Sequence, residues 1–142
     1  MSNGEQPPPL CFIDANIWLY AFIESQDRDK SALAKQVIQN AEIVVSTQVI
    51  NEVCVNLIKK AKLSEPEIHN LIESFYSKYT VAAIGLNILL KASQLRERHQ
   101  FSFWDSLVVA CALAEEVTIL YSEDMDTSLV VENKLKIVNP LI

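Results

Sequence analysis

Residues 101–126, FSFWDSLVVACALAEEVTILYSEDMD, constrain the fold of this chain more than any other stretch. Ser102 stands just before an apolar run and Asp105 follows three positions later, a helix-start signal with an acid in the first turn. Leu107, Val108, Cys111, Ala112 and Glu115 then recur at helical spacing. Val109, Ala110 and Leu113 extend the apolar surface nearly all round, which predicts a deeply buried helix. From Val117 to Tyr121 the pattern changes to VTILY, a short β-branched and aromatic run that reads as a buried strand. A helix of about 13 residues advances about 20 Å at ~1.5 Å per residue. A strand of about five residues returns about 17 Å at ~3.3 Å per residue. The chain goes out and comes back, so Asp105 and Asp124 are expected at one edge of a sheet. In α/β proteins the carboxyl edge of the strands is where sites form.

The rest of the chain repeats the alternation. Residues 10–14, LCFID, read as a buried strand ending in Asp14, and the apolar helix that follows is capped by Asn16 or Asp14. A second amphipathic helix starts within residues 26–30, with Leu33, Val37 and Ile38 on its apolar side. Residues 43–45 form a strand, and Ser46-Thr47 caps a helix over 48–62 with a stripe of Val49, Val53 and Leu57, joined by Ile50, Cys54 and Ile58. Glu52 falls in its second turn. Ser64-Glu65-Pro66-Glu67 is a capping box that opens a further helix through residue 79. A strand at 81–84, a helix at 86–100 and a last strand at 135–138 complete the order. Crossovers of this length predict a three-layer α/β/α sandwich around a short, mostly parallel sheet. One domain is expected over residues 10–142, behind an extended lead-in at 1–9 that contains Pro7-Pro8-Pro9.

Composition narrows the class. Half of the 142 residues are hydrophobic and only two are glycine, which suits a compact chain. No apolar run reaches the roughly 20 residues of a membrane helix, and the first residues lack the basic and apolar regions of a signal peptide. Cys11, Cys54 and Cys111 lie among apolar residues without metal-ligand spacing and read as reduced thiols, so a cytoplasmic location is expected. The net charge of −6 argues against a general nucleic-acid-binding surface. It leaves room for a nuclease whose metal ions bridge carboxylates to phosphate.

Asp14, Glu52, Asp105 and Asp124 all fall near the carboxyl edge. Each has a bland explanation as a cap, a loop acid or a solvated helix residue; one shared site is the more economical account. Two carboxylates about 5 Å apart repel by about 3 kcal/mol at an effective dielectric of about 20. A cluster therefore persists where protons are retained or divalent cations bind. Hard oxygen donors without histidine or cysteine suit Mg²⁺, with Mn²⁺ able to substitute. The chemistry left is metal-assisted phosphodiester hydrolysis. The basic residues Lys59, Lys60, Lys62, Arg96, Arg98 and His99 lie at helix ends, where solvated capping is the default.

FIDANIW, the NEV segment around Glu52, FWDSLVVACAL, ILYSED and IVNP, taken in this order, resemble the PIN domain, specifically its VapC-type toxins. The resemblance runs from residue 10 nearly to the end. It implies a PIN-like sandwich and a magnesium-dependent endoribonuclease, often a homodimer and usually neutralised by a cognate antitoxin protein. It also implies Asp14, Glu52, Asp105 and Asp124 as the catalytic, metal-binding acids, with Asn16 and Ser122 as polar supports. The stretch after Asp124 departs from the commoner pattern, and Asp126 is read as a loop acid. Two alternatives are carried beside this reading. A haloacid-dehalogenase-like phosphatase would need Asp-x-Asp where this chain has Asp14 and Asn16. A non-catalytic module would use the same fold to hold RNA or a protein.

Overall fold

The computed structural model describes residues 7–142. Of the expected lead-in, residues 1–6 lie outside the described residues; Pro7, Pro8 and Pro9 are exposed and belong to no helix or strand. Strand β1 (Leu10–Ile13) leads into α1 (Ala15–Phe22), and a short 3₁₀ turn (Glu24–Gln26) precedes α2 (Arg28–Gln39). Then follow β2 (Glu42–Ser46), α3 (Thr47–Ala61), α4 (Glu65–Lys78), β3 (Thr80–Ala82) and α5 (Leu86–Arg98). The chain continues through α6 (Phe103–Ala114), β4 (Ile119–Tyr121), β5 (Val130–Val131) and β6 (Leu135–Val138).

Side-chain caps start these helices where the sequence signals them. The Ser46 hydroxyl accepts from the Val49 amide, Ser102 from Asp105, and Ser64 with Glu67 closes a full capping box. Each cap satisfies one or two of the amides left free at a helix start. Helix α2 begins at Arg28, within the expected start, where Asp27 accepts from the Lys30 amide and sets the cap. Its buried residues are Ser31 and Ala34, while Leu33 is exposed. Val37 and Ile38 are half-buried against the core, as expected, so of the three apolar residues only Leu33 departs. Ile58 is likewise exposed, whereas the other five apolar residues expected on α3 are buried.

Six strands form one sheet in the order β3-β2-β1-β4-β6-β5. Every pairing is parallel except β5 against β6. That exception was not evident in the residue pattern. Glu132 and Asn133 both adopt positive φ, and the Lys134 amide bonds the Val131 carbonyl at 3.0 Å, giving a two-residue hairpin of the type I′ form. Helix α6 is buried from Ser106 through Ala112, as its nearly continuous apolar surface requires, and packs on α5. The core joins Phe12, Ile13 and Leu120 of the sheet to Trp18, Val49, Val53, Leu95 and Val109 of the helices.

Strand order decides where a site can form. β2 and β3 lie on one side of β1, and β4 lies on the other. The chain therefore changes direction between β1 and β4, the switch point at which α/β sheets open a crevice beyond the carboxyl ends of their strands. The Asp14 amide bonds the Tyr121 carbonyl at 3.0 Å and fastens the two strand ends together there.

Candidate active site

Asp14 leaves the end of β1 and caps α1, its Oδ1 accepting from the Ala15 amide at 2.8 Å. Its Oδ2 accepts the Ser122 hydroxyl at 2.9 Å across the switch point. Both residues are buried, Asp14 to 7% exposure and Ser122 completely. Capping and membership of a polar site are therefore not alternatives for Asp14, because its two oxygens face different ways. Asn16 is held between two neighbours at the end of β4: its Nδ2 donates to Asp124 Oδ2 at 3.0 Å and its Oδ1 accepts from the Glu123 amide at 3.4 Å.

Glu52 projects from the second turn of α3 and Asp105 from the first turn of α6. A cavity of about 190 Å³ is lined by Asp14, Glu52, Asp105 and Asp124 together with Asn16, Asn56 and Trp104. All four expected acids thus face one cleft, with Asn16 on its wall and Ser122 bonded behind Asp14. Asp126 is outside this set. It lines an adjoining cavity that also touches Asp105 and Asp124.

The charges feel one another. Burial, chiefly, pushes the Asp14 carboxyl up from 3.8 to about 6; the Ser122 hydroxyl and Ala15 amide oppose that, and the Glu52 and Asp105 charges add to it. Asp105 is also raised, first by burial, with the Ser102 side chain opposing and the Asp124 charge adding. A cation would relieve both. The lining offers hard carboxylate and amide oxygens, with no histidine or cysteine among them, a donor set suited to Mg²⁺ or Mn²⁺. Among the described residues, no three His, Cys, Asp or Glu side chains are already gathered tightly enough to form a closed cage. The acids line an open cleft in which a small cation would keep several waters, as Mg²⁺ usually does.

Two neighbours were not singled out from the sequence. Gln48 Nε2 donates to Glu52 Oε1 at 3.0 Å, holding that acid from one helical turn before it, while Gln48 Oε1 is buried without a partner. The four-residue spacing from Glu52 was the available signal. Trp104 is 62% exposed at the rim of the cleft, and its adjacency to Asp105 was its only mark. Elsewhere, a groove of about 340 Å³ is formed by Trp18, Phe22, Ile38, Phe75 and Tyr79 with neighbouring residues, and no carboxylate is among the described residues that line it. No helix of the described residues is long and apolar enough to cross a membrane, and the three cysteines are free and buried.

Comparison with known proteins places this arrangement. No curated protein matches the chain in sequence. Among solved structures, it is similar to a toxin-antitoxin complex from Klebsiella pneumoniae, with 19% identity and a TM-score of 0.69 over 92% of this chain and 97% of that one. It is similar to VapC20 of Mycobacterium tuberculosis, described as a Sarcin-Ricin loop cleaving toxin, with 17% identity and a TM-score of 0.67 over 82% and 91% of the two chains. A VapBC2 structure from Rickettsia felis, bound to a DNA fragment from its promoter, shares 17% identity and a TM-score of 0.58 over 90% and 96%. The PIN domain family matches residues 11–132, which include all four acids of the cleft and both polar supports. This chain belongs to the PIN domain family.

Proposed function

We propose that this protein is a metal-dependent endoribonuclease and the toxin of a toxin-antitoxin pair. The observation that carries the reading is the convergence of Asp14, Glu52, Asp105 and Asp124 on one cleft, from two strand ends and two helices. Toxin-antitoxin complexes among the similar structures, and a toxin described as Sarcin-Ricin loop cleaving beside them, support the RNA substrate and the antitoxin partner.

The four carboxylates would hold Mg²⁺, or Mn²⁺ in its place. When bound, such an ion lowers the pKa of a coordinated water and neutralises charge on the phosphate. This chain's own residues orient the cleft. Ser122 fixes the buried oxygen of Asp14, Asn16 steadies Asp124, and Gln48 steadies Glu52. Supports of this kind set the angle of a ligand and commonly alter metal affinity about 10–100-fold when removed. The rise in Asp14 marks a carboxyl whose charge is costly until a cation shares the cleft.

A homodimer is part of the proposal. Ile58 on α3, Tyr76 on α4, and Leu86, Leu89 and Leu90 on α5 are exposed apolar residues of the size that subunit contacts cover. The phosphatase alternative gains nothing, since the Asn16 amide in place of a second aspartate is already spent on Asp124 and Glu123.

Purified protein, freed of any inhibitor, is expected to cut single-stranded or looped RNA with Mg²⁺ or Mn²⁺ and to stop in EDTA. Asp105→Asn and Glu52→Gln are each expected to abolish cleavage with the fold intact. Cleavage unchanged in chelator removes the metal mechanism, and release of phosphate from small phosphomonoesters in place of RNA cleavage would favour a phosphatase.

A further inference from the structure

Beside the acid cleft lies a wider groove of about 670 Å³, lined by Thr47, Gln48, Asn51, Glu52, Val55, Asn56 and Trp104. Glu52, Asn56 and Trp104 belong to both cavities, so the groove opens directly onto the acids. Its volume falls in the range of about 300–1,000 Å³ typical of small-molecule sites. Its chemistry is unlike that of the cleft: one large aromatic face, three side-chain amides, one carboxylate, and no lysine or arginine.

We propose that this groove is a nucleobase subsite, in which one base of a single-stranded RNA stacks on Trp104 while its edge faces the amide of Asn51. The proposal rests on the ribonuclease reading for the phosphate's place in the adjoining cleft. Three observations carry it. Trp104 is 62% exposed, and a large aromatic left open to water beside a charged cleft offers a flat face of the kind on which unpaired bases stack. The ring is also braced. Phe103 meets it edge-on with centroids 5.4 Å apart, and the Arg96 guanidinium lies 4.2 Å over the Phe103 ring and donates to Ser106 Oγ at 2.7 Å. Braced in this way, the platform loses less freedom when a base arrives.

The third observation is the amide set. Asparagine and glutamine carry a donor and an acceptor side by side, which matches the paired donor and acceptor on a base edge. Gln48 uses its amide nitrogen on Glu52 and its carbonyl oxygen is buried, so the amide open to a base edge is that of Asn51, which is exposed. Because Gln48 touches both Glu52 and this groove, a base seated here is felt at one of the four acids. The absence of any cation from the lining favours an uncharged base over a phosphate or an acidic peptide.

Fluorescence separates this site from the chemistry. The protein has two tryptophans, Trp104 exposed and Trp18 only 1% exposed, so ligand-dependent emission reports on Trp104. In an Asp14→Asn background with Mg²⁺, short single-stranded oligoribonucleotides are expected to quench that emission, and single nucleosides to do so at much higher concentration. Trp104→Ala is expected to weaken oligonucleotide binding, followed by anisotropy of a labelled strand, about ten- to a hundredfold, the scale of one base on one aromatic ring. Trp104→Phe should bind within a few-fold of its parent while losing the quench. In the active protein, Trp104→Ala should raise KM by a similar factor, and Asn51→Leu should flatten the preference among bases next to the cut. If Trp104→Ala cleaves RNA with unchanged KM and pattern, the subsite is wrong and the ribonuclease reading stands. If oligonucleotides quench Trp104 but the wild type cuts no RNA with any divalent ion, the subsite stands and the enzymatic reading falls. Neither quench nor cleavage overturns both.

Discussion

Replacing Asp14 by asparagine should stabilise the metal-free protein at neutral pH. Asp14 is 7% exposed, and its carboxyl is pushed from 3.8 up to about 6, chiefly by burial. An acid whose folded pKa exceeds its unfolded one keeps its proton longer in the native state. Native stability therefore falls as pH rises from about 3.8 to about 6, and the loss is complete above that window. At about 1.4 kcal/mol per pKa unit, the rise from 3.8 to about 6 corresponds to about 3 kcal/mol. Asparagine has nearly the same volume and caps helices about as well as aspartate. Its Oδ1 can still accept from the Ala15 amide, and its amide can donate to the Ser122 hydroxyl in place of accepting from it. In EDTA, the two proteins should melt together near pH 4. By pH 7 the variant should melt higher by roughly 6–12 °C, at about 2–4 °C per kcal/mol for a domain of this size. Mn²⁺ should close this gap: an ion bound only by the native state adds about 2.7 kcal/mol at a hundredfold excess over its Kd, close to the variant's advantage in EDTA, and the variant should lose most of that gain. The assay is a set of melting curves from pH 4 to pH 8, with EDTA and with millimolar Mn²⁺. A melting difference in EDTA that is constant across this range, or a variant that melts lower at pH 7, refutes the reasoning.

The other predictions address neighbouring groups. Asp105 is also raised, so Asp105→Asn in EDTA should melt no lower than wild type at neutral pH; an equal Mn²⁺-induced rise in both proteins would leave Asp105 as a helix-start acid only. Asn16→Ala removes the 3.0 Å bond to Asp124 and should weaken Mn²⁺ affinity about 10–100-fold, read from the midpoint of a Mn²⁺ melting titration. Asp124→Asn should abolish RNA cleavage while Asp126→Asn keeps it within a few-fold, and the opposite result would move the fourth acid to Asp126. Light scattering across the micromolar range should report a dimer, and Leu89→Glu should shift it toward monomer; a wild-type monomer counts against the exposed apolar rows as contacts.

Local chemistry along the chain was enough to place most of what matters. Ser46, Ser64 and Ser102 mark helix starts because a serine hydroxyl satisfies a free amide wherever it stands. The nearly all-round apolar surface of residues 106–112 required a buried helix, and the burial followed. The strand-to-helix rhythm also put Asp14, Glu52, Asp105 and Asp124 toward one edge, since a strand and the helix after it run in opposite directions. Strand order is another matter. Nothing local to residues 10–14 or 119–124 says that β1 and β4 are neighbours, yet that pairing brings Ser122 to Asp14 and Asn16 to Asp124. Sheet order follows from which helices can cover which faces, a property of the whole core. The β5 hairpin is not legible in the residue pattern because its turn places Glu132 at a positive-φ position where asparagine or glycine is usual. Trp104 and Gln48 belong to the same category. A tryptophan beside an aspartate and a glutamine one turn before a glutamate are unremarkable in one dimension. They become the wall of a groove only because packing turns α3 and the start of α6 toward the same cleft.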